Sequence, residues 1–141
     1  MRAYLKREDL FPLSKAEIAE RIELVQRAAG LIGETYSDHL SRVVLFGSLT
    51  REKGRRLRTA SDFSNEMNNS GSDIDLCCVV PQGMSYREKE NLRKSIKQTL
   101  TEADFEVGNE GGQIHNFVSS SDSLFFNDHV SPGGRILWPK E

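Results

Sequence analysis

The stretch VVLFGSLT (residues 43–50), answered further along by SDIDLCCVV (residues 72–80), decides how the chain is read. The first is an apolar, β-branched run that stops at Gly47 and Ser48. The second is an apolar run carrying two aspartates, Asp73 and Asp75. Side chains two apart on a strand project from one face, so both carboxylates share a side. A lone buried carboxylate is costly, and two on one face repel unless a cation lies between them. Such a pair points to a hard cation, and Mg²⁺ takes one or two carboxylates together with substrate phosphates. A Gly-Ser at a strand end suits the other half of that ligand. The backbone can approach a phosphate closely there, and hydroxyl and N–H groups can bond its oxygens. Together the two stretches suit a nucleoside triphosphate and its metal while a phosphoryl or nucleotidyl group moves.

Working outward, Ser14 opens a capping box, S-K-A-E, with Glu17 placed to reach back. Ile18, Ile22, Val25, Ala29 and Ile32 follow at helical spacing, which predicts a helix over about 15–35. Arg42 to Phe46 reads as a strand, and so does 73–80, whose continuous apolar character suggests a central position in the sheet. PQGMS reads as a turn, and Leu92, Ile96 and Leu100 predict a helix over 86–101. ADFEV (103–107) alternates and reads as a short strand with Asp104 and Glu106 on its wet face. QIHNFVS (113–119) reads as a further strand, a candidate hairpin partner. Ser121 is placed to cap a short helix to about 129, SPGG breaks it, and RILW makes a last strand. This order is that of a small α/β domain with a mixed central sheet flanked by helices.

The 141 residues suit one domain spanning 1–141, with an irregular arm at 1–13. A long loop at about 52–71 is first basic (with Arg51, Lys53, Arg55, Arg56 and Arg58) and then polar. A net charge of −2 argues against a chain that binds nucleic acid by overall charge. No apolar run approaches the ~20 residues of a membrane span. MRAYLKREDL lacks the apolar stretch of a secretory signal, so a cytoplasmic protein is expected. Cys77 and Cys78 are neighbours on a strand, hence on opposite faces, and read as small core residues. His39 and His129 have no partners at zinc-ligand spacing, and no G-x-x-x-x-G-K-[ST] occurs. Trp138 and the Phe125–Phe126 pair read as core.

The pattern L-F-G-S-x-x-R followed by S-D-I-D-L resembles the signature of the DNA polymerase β-type nucleotidyltransferase superfamily, in particular its minimal members. The motifs cover roughly residues 40–80, and G-R-I-L-W resembles the closing strand of small members. The resemblance implies Mg²⁺ (or Mn²⁺) held by Asp73 and Asp75, and ATP or another NTP as substrate. It places Gly47, Ser48, Arg51 and Ser72 at the nucleotide. It also implies a third carboxylate on a later strand, serving the metal and the attacking hydroxyl. Asp104 is the first candidate, then Glu106; an alignment through IHNFVSSSDSL would instead put His115 or Asn116 there. Histidine accepts a proton but is a poorer Mg²⁺ ligand. The segment between Ser48 and Asp73 is longer than in typical small members. Small stand-alone members resemble antitoxins paired with a helical HEPN-type ribonuclease toxin, which act by transferring AMP to that partner or by binding it. The implied activity is therefore nucleotidyl transfer to a protein partner. Two alternatives stand beside it: an enzyme whose dimer builds a pocket for a small molecule or RNA end, and a non-catalytic binding module of the same fold.

Overall fold

The computed structural model describes residues 14–47, 74–108 and 113–139. The expected arm at 1–13 and loop at 52–71 lie outside them. Helix α1 (Lys15–Thr35) starts where the capping box requires: the Ser14 hydroxyl accepts from the Glu17 N–H, and the Glu17 carboxylate accepts from the Ser14 N–H, each at 3.1 Å. Strand β1 is Arg42–Phe46, and β2 is Ile74–Val80. Helix α2 (Tyr86–Glu102) opens on a second capping box, between Ser85 and Glu88. The same S-x-x-E signal stands ahead of it in the sequence. Strand β3 is Ile114–Ser120, a π-helical turn covers Phe126–Val130, and β4 is Arg135–Trp138.

The four strands form one mixed sheet in the order β3-β2-β1-β4. Strands β1 and β2 run antiparallel, with Phe46 opposite Asp75; β4 pairs antiparallel with β1. Strand β3 pairs parallel with β2 and reaches it through α2, so it is not a hairpin partner of the segment before it. A parallel neighbour needs such a crossover, because a tight turn can only reverse the chain.

The sheet has two unequal faces. On one, Val43, Leu45, Ile74, Leu76, Cys78, Val80 and Ile114 pack with Val25, Ala29 and Ile32 of α1 and Ile96 and Leu100 of α2. On the other, Val44, Phe46, Cys77 and Val79 are covered by Phe126 and Val130 of the π-helical turn. That turn is held by Ser123, not Ser121: its hydroxyl accepts the Phe126 N–H at 3.0 Å and pairs with the Ser119 hydroxyl at 2.6 Å.

The expected strand at 103–107 is a helix ending instead. Asp104 takes a positive φ of 68°; its N–H donates to the Thr101 carbonyl at 3.1 Å, and the Phe105 N–H donates to that of Leu100 at 3.0 Å. This reversal satisfies the last carbonyls of α2 and swings Phe105 back beside Leu100 in the core. The alternation A-D-F-E-V thus records a capping turn, followed by a single bridge from Val107 to Ile114.

Two substitutions in α1 separate propensity from packing. Gly30 has open space where a Cβ would stand, whereas a Cβ on Gly33 would land on the indole of Trp138. Gly30→Ala should raise stability by about 0.5–1 kcal/mol in urea denaturation. Gly33→Ala should lose about 1–2 kcal/mol, because overpacking outweighs the gain in propensity.

The two thiols supply a pH test. Burial pushes Cys77 up from 9.0 to about 12, against a smaller lowering by the Arg42 guanidinium. Cys78 is raised further, by burial first and by Cys77 second. Folding thus favours the neutral thiols. Their contribution is full below the ordinary value of 9.0 and is lost as pH rises towards about 12. Alkylation at pH 8 should leave both cysteines unmodified in the folded chain and modify both in urea, read by mass spectrometry.

Candidate active site

Gly47 ends β1 and Asp75 is the second residue of β2, so the antiparallel register brings them to one end of the two central strands. Gly47 adopts a φ of +87°, a region that favours glycine. Its backbone lies close against the Asp75 side chain: a Cβ built there would stand 2.8 Å from Oδ2. The glycine is therefore required twice, by its backbone angle and by the carboxylate beside it.

Asp75 belongs to a row across the sheet. Its antiparallel partner is Phe46 and its parallel partner is His115, so Phe46, Asp75 and His115 project from the face opposite α1 and α2. The His115 Nδ1 lies 3.9 Å from Asp75 Oδ1, with the side chains 36% and 25% exposed. That separation is too long for a hydrogen bond and short enough for attraction when the imidazole is protonated. Half-burial raises the local strength of any charge while leaving access to solvent.

Ser48, Arg51, Ser72 and Asp73 lie outside the described residues. The structure brings together Gly47, Asp75 and His115. The two carboxylates preferred for the third position stand elsewhere. Asp104 closes α2 in its left-handed conformation and is exposed. Glu106 is exposed, and its carbonyl accepts the Ile114 N–H on the far side of β3 from β2. Two strand spacings place its backbone about 10 Å from that of β2. Asn116 faces the other way: buried, it donates to the Arg93 carbonyl of α2 at 3.1 Å. The neighbour of Asp75 on the next strand is thus an imidazole.

A metal here would find one oxygen and one nitrogen donor in Asp75 and His115. Among the described residues no group of three His, Cys, Asp or Glu side chains is close enough to hold an ion. The carboxylate fits Mg²⁺ or Mn²⁺, and the imidazole is the less suitable donor for both. A second face of the molecule also offers a concavity, a groove of 670 Å³ floored by Ile18, Ala19 and Ile22 of α1. It lies on the helical side, across the sheet from Asp75.

Beside the row stand rings that the sequence reading assigned to core or set aside. His115 contacts Phe117, Phe117 contacts Phe125, and Phe125 contacts His129, with centroids 4.1, 5.1 and 5.6 Å apart. The i, i+2 spacing of His115 and Phe117 on one strand was the available signal for the first pair.

Gly47→Ala should cost about 1–2 kcal/mol of stability through backbone strain alone. It should also weaken divalent-cation binding in calorimetry, because the new methyl group displaces the Asp75 carboxylate. Unchanged stability and cation affinity would remove Gly47 from the site. No protein-family model, curated protein or solved structure matches the chain, which leaves the geometry of Gly47, Asp75 and His115 as the guide to function.

Proposed function

We propose that the chain is a nucleotidyltransferase of the DNA polymerase β type, transferring the NMP of an NTP, ATP in the first instance, to an acceptor hydroxyl. The observation that carries this reading is the packing of Gly47 against Asp75. Two motifs far apart in sequence are adjacent at one end of the central strands, as a shared ligand requires. In the reaction the acceptor oxygen bonds to the α-phosphorus, the bond to the bridging oxygen of the β-phosphate breaks, and pyrophosphate leaves. The hydroxyl proton passes to a base.

Each residue has a role in that scheme. Gly47 would offer its backbone and Ser48 its hydroxyl to the triphosphate, and the family resemblance adds Arg51 and Ser72 as further contacts to it. Asp73 and Asp75 would hold a divalent cation, which would supply neutralisation of the charge building on the phosphates. His115, next to Asp75, is the described group best placed to accept the proton, since an imidazole titrates near neutrality. The acceptor implied by the family resemblance is a partner protein, with a small molecule or RNA end as the other class.

A second reading has its own observation. The residue paired with Asp75 on β3 is His115, an imidazole and not a carboxylate. A site with an imidazole there can keep the nucleotide and lose turnover, which makes the chain a binding module.

The test is transfer of label from each α-labelled NTP, with Mg²⁺ or Mn²⁺, in the presence and absence of host extract. Label should appear on one discrete acceptor and fall by more than about 100-fold in Asp73→Ala and Asp75→Ala. His115→Asn should abolish transfer if His115 is the working base, and His115→Asp should retain or raise it, because a carboxylate can also take the proton. NTP binding with no transfer by the wild-type chain or by His115→Asp selects the binding module, and no NTP binding overturns the whole reading.

A further inference from the structure

The four rings beside Asp75 form a ladder with an imidazole at each end: His115, Phe117, Phe125, His129. Adjacent planes are tilted by 34–42°, so each ring partly overlaps the next. Phe46 anchors the ladder from beneath, 5.4 Å from Phe117 and 5.8 Å from Phe125. The anchor is buried, as is Phe126. The rungs are different: His115, Phe117 and Phe125 are half-buried and His129 is exposed. A hydrophobic layer serving only to close the sheet would bury Phe117 and Phe125 as it buries Phe46 and Phe126. It would also gain nothing from the exposed His129 imidazole at one end, whose polar atoms a hydrocarbon occupant would desolvate without return.

Position narrows the occupant. Phe117 pairs with Cys77, one row along the same face from the Asp75–His115 pair. Two residues along a strand is about 7 Å, the scale of a ribose between a phosphate and its base. The far end of the ladder is held before any ligand arrives. The Ser119–Ser123 bond and the Ser123 cap on Phe126 fix the turn that carries Phe125 and His129. A π-helical turn of this kind is common at functional sites.

We propose that this ladder seats the base of the nucleotide whose phosphates lie at Gly47 and Asp75. It presents ring surface for stacking and, at its exposed end, the His129 imidazole for the polar edge of the base. The proposal rests on the nucleotidyltransferase reading and adds the base subsite to it.

Calorimetry on the full chain with Mg²⁺ separates base from phosphate, using ATP and inorganic tripolyphosphate as the two probes. Phe125→Leu should weaken ATP about tenfold and leave tripolyphosphate unchanged, and Phe125→Tyr should retain the affinity. If Phe125→Leu fails to fold by circular dichroism, the exposed His129→Ala decides, with an expected loss for ATP alone of about fivefold. Equal losses for both probes, or no loss for either, overturn the ladder while leaving the phosphate site standing. If neither probe binds the wild-type chain, the nucleotidyltransferase reading fails and takes the base subsite with it.

Discussion

The register between β1 and β2 is the constraint on which the rest depends. With Phe46 opposite Asp75, the carboxylate projects from the thinly covered face of the sheet and meets the Gly47 backbone. Strand side chains alternate, so a slip of one residue would send Asp75 towards the two helices and turn Leu76 out. Asp75 then would be a carboxylate among Val25, Ile32 and Leu100, which no apolar core tolerates. The helical layer therefore enforces the site without touching it.

Among the described residues, two capped helices cover one face, and a π-helical turn pinned by serines covers part of the other. Hydrophobic burial holds the sheet from the helical side, and the opposite face carries the polar and aromatic groups of the Asp75 row. Cys77 and Cys78 mark the division, one thiol in each layer.

Much of this was legible in the sequence because the signals were local. The S-K-A-E cap, the apolar stripe of α1 and the β-branched run at 42–46 each state their element within one window. Alternation also placed Cys77 and Cys78 on opposite faces correctly. What was not legible depended on chain reversal or on pairing between distant segments. ADFEV alternates as a strand does, yet its pattern comes from the left-handed Asp104, which no periodicity distinguishes. The choice of His115 over Asp104 or Glu106 as the neighbour of Asp75 required the parallel register of β3, a long-range fact. Ser123 in place of Ser121 as the cap reflects a shift of two residues within S-S-S-D-S (119–123), four serines and an aspartate that all have capping chemistry.

The crossover that makes β3 parallel to β2 has a kinetic side. Asp75 and His115 are adjacent in space but separated in sequence by the whole of α2. The antiparallel pairing of β1 with β2 and the capped helices need less chain to be ordered than this pairing does. Loop-closure entropy must be met before a parallel strand is rewarded, which favours the entry of β3 after α2 has docked. A partly folded chain with only β1 and β2 paired carries Asp75 without its neighbour and is chemically silent until β3 closes.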